Sequence, residues 1–357
     1  MLLDKNFWKN KKVFLTGHTG FKGGWLSLIL NYLEAEVVGY SLEPEKNSFF
    51  NQVNLGKVVR HNLGDIRDLT SLNEVEKRFK PDILIHMAAQ SLVIESYKDP
   101  INTFSTNIMG TVNILETIRM SKSIKTGVII TTDKCYENRN LSRGYREDDP
   151  MGGFDPYSSS KGSAELVIKS YQRSFLNEKN FKEGAASIAS VRAGNVIGGG
   201  DWAEDRLIPD LLRSTKTRKK TKIRNPSATR PWQHVLEPLT GYLLVVQKLF
   251  EEGPSKADNW NFGPNEKDIK PVSYVADLFC DRWGNNLSWI KDDRKNYFHE
   301  AELLSLDIEK AKTTLGWNPK WSLDQAITKV VDWHKQPVTE KNLLKISLSQ
   351  IEEYLKI

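Results

Sequence analysis

The stretch "KKVFLTGHTGFKGG", residues 11–24, sets a short apolar run directly before a turn rich in glycine. Residues 11–17 predict a buried strand. Gly17, Gly20 and Gly23 follow at three-residue spacing, and the apolar periodicity of "WLSLILNYLEA" (25–35) predicts a helix next. Strand, glycine turn and helix in that order suit one kind of ligand group. The glycines permit a tight turn and close backbone approach, while the helix start offers unpaired amides and the positive end of its dipole. A pyrophosphate fits that description.

Working outward, "EVVGYSL" (36–42), "PDILIHMAA" (81–89) and "KTGVIITT" (125–132) predict further strands. "DLTSLNEVEKRF" (68–79) and "TFSTNIMGTVNILETIRMSK" (103–122) predict helices between them, the second long and amphipathic. Alternating strands and helices build parallel βαβ units, so the fold class is α/β, a Rossmann-type doubly wound sheet. After "AASIASVRAGNVIGGGD" (185–201) the alternation weakens and aromatic and basic residues increase.

With 357 residues the chain suits one large or two medium domains. A hydrophobic content of 39% and a charged content of 27% describe a soluble globular protein. No apolar run approaches the roughly 18–20 residues that span a bilayer. The start "MLLDKNFWKNKK" has no secretory pattern, so a cytoplasmic location is expected. Two cysteines, Cys135 and Cys280, give no disulfide framework, and neither they nor the six histidines have metal-ligand spacing; no metal is expected. Much of the net charge of +6 sits in "RSTKTRKKTKIR" (213–224), a solvated basic segment or an attraction for an anionic small molecule. No nucleic-acid-binding motif accompanies it.

The strand at 125–132 runs into Thr132, Asp133 and Lys134: a hydroxyl, an acid and an amine in succession. Carboxyl ends of strands are where open α/β sheets bind ligands. Further on, "DPYSSSKGSAE" (155–165) places Tyr157 and Lys161 four residues apart, on one face of a helix. An ammonium beside a phenol lowers the phenol's pKa, and the phenolate can take a proton from an alcohol as hydride leaves.

The G-x-x-G-x-x-G turn, the strand end and the Tyr-x-x-x-Lys pair together resemble the extended short-chain dehydrogenase/reductase family, in its nucleotide-sugar dehydratase branch. That branch typically carries Thr-Asp-Glu where this chain has Thr132-Asp133-Lys134. Lysine there, with "TGHTGFKGGWL" and "RPWQHVLEPLTGYL" (230–243), is similar to the CDP-hexose members. The resemblance covers essentially the whole chain. It implies NAD held by Gly17, Thr19, Gly20, Phe21, Lys22 and Gly23, with Asp65 and Ile66 of "GDIRD" at the adenine. Ala88, Ala89 and Gln90 of "HMAAQ" would pass beneath the cofactor, which Tyr157 and Lys161 would also touch. The acid usually found at the end of the second strand is absent, since Tyr40-Ser41-Leu42 stands there.

The same resemblance implies a dinucleotide domain over residues 1–191, rejoined by a segment near 230–256, and a mainly nucleotide-sugar-binding domain over 192–357. Asn195, Arg206 and Arg230 would bind the substrate, CDP-glucose. Catalysis would fall to Thr132, Asp133, Lys134, Tyr157 and Lys161, with Asp133 as the acid that releases water. Lys134 would be a neutral base or a cation that stabilises an enolate. Dimers or higher homo-oligomers are implied as well. The rival readings are a 4-epimerase on the same scaffold, which needs no such acid, a non-catalytic dinucleotide sensor, which would dispense with the Tyr/Lys pair, and a nucleic-acid binder.

Overall fold

The computed structural model describes residues 3–217, 219–293 and 303–356. Seven strands form the main sheet: β1 (Lys12–Thr16), β2 (Glu36–Ser41), β3 (Arg60–Leu63), β4 (Ile83–His86), β5 (Thr126–Ile130), β6 (Ser187–Ala193) and β7 (Asn259–Phe262). Their order is β7-β6-β5-β4-β1-β2-β3, and each pairing is parallel. The direction of winding reverses between β1 and β4, so the crevice at their carboxyl ends is the topological switch point.

Side-chain alternation divides the strands between two cores. Val13 and Leu15 face a core shared with the helices α1 (Phe21–Tyr32) and α6 (Leu236–Glu252). Phe14 and Leu84 face the opposite core, under α2 (Leu69–Phe79), α3 (Gly110–Met120) and α4 (Pro156–Ser174). A third core joins α5 (Leu207–Thr217), α7 (Val272–Trp283) and α8 (Leu323–His334) through Leu211, Phe279, Ile327 and Trp232. Among the described residues no helix is long and apolar enough to cross a membrane.

Three features differ from the sequence pattern. Helix α1 starts at Phe21, ahead of its apolar stripe, because Gly20 already serves as its N-cap. Strand β3 is a sheet edge of largely exposed polar residues, "RHNL", and carries no apolar signal. The helix expected over 103–122 is interrupted by a π-turn at Ser105–Met109, between Pro100–Phe104 and α3. Such bulges gather at functional sites.

Candidate active site

The turn after β1 is shaped by contacts that leave no room for side chains. Gly17 has φ +74°, and a Cβ there would lie 2.6 Å from the Ala88 nitrogen. A Cβ on Gly23 would lie 2.0 Å from the Gly17 carbonyl oxygen. Gly20 is different: its nearest neighbour, the Gly17 carbonyl oxygen, would be 3.4 Å away. Gly20 caps α1 without any side-chain hydrogen bond, so the first amides of the helix are left for a ligand. Thr19 reaches the end of β2, where its Oγ1 pairs with Ser41 Oγ at 2.7 Å.

Those residues line a cavity of about 1000 Å³ that runs over the carboxyl ends of the strands. The structure brings every candidate of the sequence reading to its wall: the turn residues Gly17 and Thr19–Gly23, Asp65 and Ile66, Ala88–Gln90, Thr132–Lys134, Tyr157, Lys161, Asn195, Arg206 and Arg230. Asp65 is clamped by Arg67, whose hydrogen bonds hold its carboxyl below the usual range. Ala88 takes its place under the turn through Thr16 Oγ1, which also meets His86 Nδ1 at 2.7 Å.

At the end of β5, Thr132 caps a single helical turn over Asp133–Cys135. Its Oγ1 donates to Asp133 Oδ1 at 3.1 Å and lies near enough to Tyr157 to affect its phenol. Asp133 Oδ2 is buried and has no hydrogen-bond partner among the described residues. An unpaired buried carboxyl oxygen costs free energy, which makes it a functional candidate. Burial pushes the Tyr157 phenol up to about 12, against the downward pull of Thr132. That direction is opposite to the one the Tyr-Lys spacing predicts, because burial outweighs the contacts that favour the phenolate. The Lys161 ammonium donates to the Ile130 carbonyl, 3.2 Å away. Burial in turn pushes Lys161 down to about 8.

Arg206 approaches Tyr157 from the other side, held by Asp201 at 3.0 Å, and its charge favours the phenolate. Arg230 is buried in the short strand Thr229–Pro231, which pairs with Ile269–Pro271. Asn195 follows β6, and its carbonyl accepts from Gln233 N at 3.0 Å. Part of the basic stretch faces inward as well, since Thr221, Lys222, Ile223 and Arg224 line the cavity.

Two contacts at the site join residues that the sequence reading did not connect. Lys22 donates to Tyr242 on α6 at 2.9 Å, and burial beside Lys161 and Arg206 brings it down to about 7. A lysine in the first turn of a helix meets the wrong end of the dipole; that misfit, together with Tyr242 in the quoted 230–243 segment, was the available signal. Asn107, in the π-turn, accepts from Gln90 N at 2.9 Å and donates to the Gln90 carbonyl (2.9 Å) and to Ser160 Oγ (2.8 Å). It ties the loop after β4 to the helix that carries Tyr157.

A family model described as GDP-mannose 4,6 dehydratase matches residues 14–330. The chain belongs to this family. Another sequence similar to it, the CDP-glucose 4,6-dehydratase of Salmonella typhimurium, is 50% identical over 355 residues, covering 99% of both chains. Among solved structures, a dTDP-glucose 4,6-dehydratase double mutant from Streptomyces venezuelae with NAD bound superposes with a TM-score of 0.77 at 21% identity, covering 91% of this chain and 97% of that one. The UDP-glucose 4-epimerase of Thermotoga maritima gives 0.76 at 20%, covering 90% and 97%. At such identities these two likenesses concern the fold. A dehydratase and an epimerase thus share this scaffold, and the fold alone does not separate the two activities.

Proposed function

We propose that this chain is an NAD-dependent hydro-lyase that converts CDP-D-glucose to CDP-4-dehydro-6-deoxy-D-glucose and water, a step of deoxysugar synthesis. The observation that carries this reading is the buried, unpartnered Asp133 oxygen beside Tyr157 and Thr132. An enzyme that only oxidises and re-reduces C4 has no use for an acid there. The half-identical, full-length Salmonella relative that bears this name supports the choice of substrate.

The residues present fit a dinucleotide. Gly20 leaves space on the cavity side of the turn, and the first amides of α1 are free of a side-chain cap. Residues 1–191, with the α6 and β7 segment, would form the cofactor half, and the remainder of 192–357 the sugar-nucleotide half. NAD, when bound, supplies a hydride acceptor and donor. The phenolate of Tyr157, a form that burial disfavours and the Arg206 charge favours, takes the proton of the C4 hydroxyl, and Thr132 hydrogen-bonds the same oxygen. The C4 ketone acidifies the hydrogen on C5. Lys134 serves this step either as the neutral base that takes the C5 proton or as a cation beside the enolate while another group takes it. Asp133 gives a proton to the departing C6 oxygen, which leaves as water, and the hydride returns to C6. Arg206 and Arg230 bind the diphosphate, for which an arginine fork is well shaped. Asn195 meets the same phosphates. We also infer a cytoplasmic homodimer or higher homo-oligomer, consistent with the exposed Ile101, Met109 and Leu166 on neighbouring helices.

The test is to incubate the purified chain and NAD with CDP-, dTDP-, UDP- and GDP-glucose and to identify the sugar products. A 4-keto-6-deoxy sugar from CDP-glucose is expected. A C4 epimer that retains its C6 oxygen would overturn the reading in favour of an epimerase.

A further inference from the structure

Two buried charges that neither give nor take a proton in these steps lie directly behind the catalytic strand end. Tyr157, Lys161 and Glu165 recur every four residues along α4, so Glu165 sits one turn beyond Lys161 on the buried face. Its carboxylate takes both arms of Arg192 on β6, Nε at 2.8 Å and Nη2 at 2.7 Å. Ser190 Oγ at 2.8 Å and Thr131 Oγ1 at 2.5 Å donate to it as well. The side chains of the pair are 2% and 1% exposed. The remaining nitrogen of Arg192, Nη1, donates to Tyr136 OH at 2.7 Å and to the Glu147 carbonyl at 3.1 Å. Tyr136 in turn donates to Asn261 Oδ1 on β7 at 2.8 Å, and its ring stacks on Tyr145.

A buried ion pair is weak evidence of a stabilising role, because desolvation offsets the attraction and well-packed apolar residues often do as well. The segment that this pair holds is a better clue. Thr131, tied to Glu165, immediately precedes Thr132. Tyr136, tied to Arg192, stands two residues after Lys134. The triplet Thr132-Asp133-Lys134 is therefore suspended between two side chains that are both fastened to one ion pair. We propose that Glu165 and Arg192 are positioning residues that fix this triplet against Tyr157 for the loss of water. The claim about water loss rests on the dehydratase reading; the claim about the segment does not.

Three variants test it. Thr131→Val and Tyr136→Phe each remove one tether and keep the ion pair. The double variant Glu165→Leu/Arg192→Met replaces the pair with apolar volume. Displacement of reacting groups by about 1 Å costs up to 10²-fold, so kcat for CDP-glucose should fall about 10–100-fold in the double variant, and several-fold in each tether variant, with KM unchanged. The melting temperature of the double variant should stay at or above that of the parent. Hydrogen exchange should quicken in residues 131–136 of all three, while the β1 turn keeps its protection. A purely structural pair gives the reverse result, a lowered melting temperature with kcat restored in the double variant, and that would overturn the proposal. Should the double variant not fold, unchanged kcat and exchange in both tether variants would overturn it equally. If the parent makes no 4-keto-6-deoxy sugar but exchange still quickens in the variants, the dehydratase reading has failed and the positioning claim stands.

Discussion

The cavity has two ends, built by different means. At the β1 turn the shape is made by backbone: Gly17 against Ala88 and Gly23 against Gly17, with no side chain between them. At the end of β5 the shape is made by side chains from several elements: Thr132 and Asp133 after β5, Tyr157 and Lys161 on α4, Lys22 on α1 and Arg206 just before α5. A backbone-built site has few groups to titrate, and it fails when volume is added. A side-chain-built site can lose one function at a time while the fold survives. That contrast can be broken by experiment.

The largest effect should come from Tyr157→Phe. Removal of a positioned proton acceptor typically costs 10²–10⁴-fold, so turnover should drop by about 10³. NAD and CDP-glucose should bind as before in calorimetry, since the phenol oxygen is all that is removed. Parent-like turnover would remove Tyr157 from the chemistry. Asp133→Asn should act later in the reaction, slowing water loss by about 10²-fold or more. Oxidation at C4 should persist: quenching a single turnover with borodeuteride should place deuterium at C4 of a hexose that keeps its C6 oxygen. Absence of that label would mean that Asp133 is needed before elimination, and the two roles at the strand end could no longer be separated.

The turn should behave otherwise. In Gly23→Ala the added carbon meets backbone at 2.0 Å, so stability and cofactor binding should fall together. Overpacking of this kind costs about 1–3 kcal/mol. Gly20→Ala meets nothing closer than 3.4 Å, so its melting temperature should match the parent's. Its Cβ would still enter the space intended for a pyrophosphate, and NAD affinity should fall several-fold. Equal affinity in Gly20→Ala and parent would mean that the dinucleotide does not cross this turn.

The same division explains what could be read from the sequence. The Gly17–Gly23 spacing, the buried strands β1, β4 and β5 and the Tyr157/Lys161 pair are local patterns, each carried by residues a few positions apart. All were legible. Lys22–Tyr242 joins residues 220 positions apart, and Glu165–Arg192 joins a helix to a strand; no periodicity reports such pairings. Strand β3 was missed because an edge strand exposes its side chains and needs no apolar alternation. The π-turn was missed because "TFSTNIMG" fits an ordinary helix, and the partners of its Asn107, Gln90 and Ser160, lie outside it. The direction of the Tyr157 shift was missed because spacing on a helix face does not show how deeply the phenol is buried.

The smallest effect is one of pH, and it belongs to the side-chain end alone. Lys161 is brought down to about 8 by burial, while Glu165 pushes it back up. The groups around it are Tyr157 and Glu165 on α4, Cys135 after β5, His86 on β4 and Lys22 on α1. Burial keeps three of them neutral near pH 8: His86 is held down to about 3, Tyr157 up to about 12, and the Cys135 thiol is pushed upward. Lys22, brought down to about 7, has by then lost most of its proton, which leaves Glu165 as the charged neighbour. If the ammonium of Lys161 is the form that supports proton removal, turnover falls as pH rises through about 8. Glu165→Gln removes an upward push, so the alkaline limb should move to lower pH. Lys22→Met removes a group already neutral there, so its limb should stay near that of the parent, whatever the variant does to the rate. A parallel displacement in both variants would mean that the limb follows the charge of the whole cavity and not Lys161. A limb that moves only in Glu165→Gln would assign it to the one lysine whose charge α4 itself sustains.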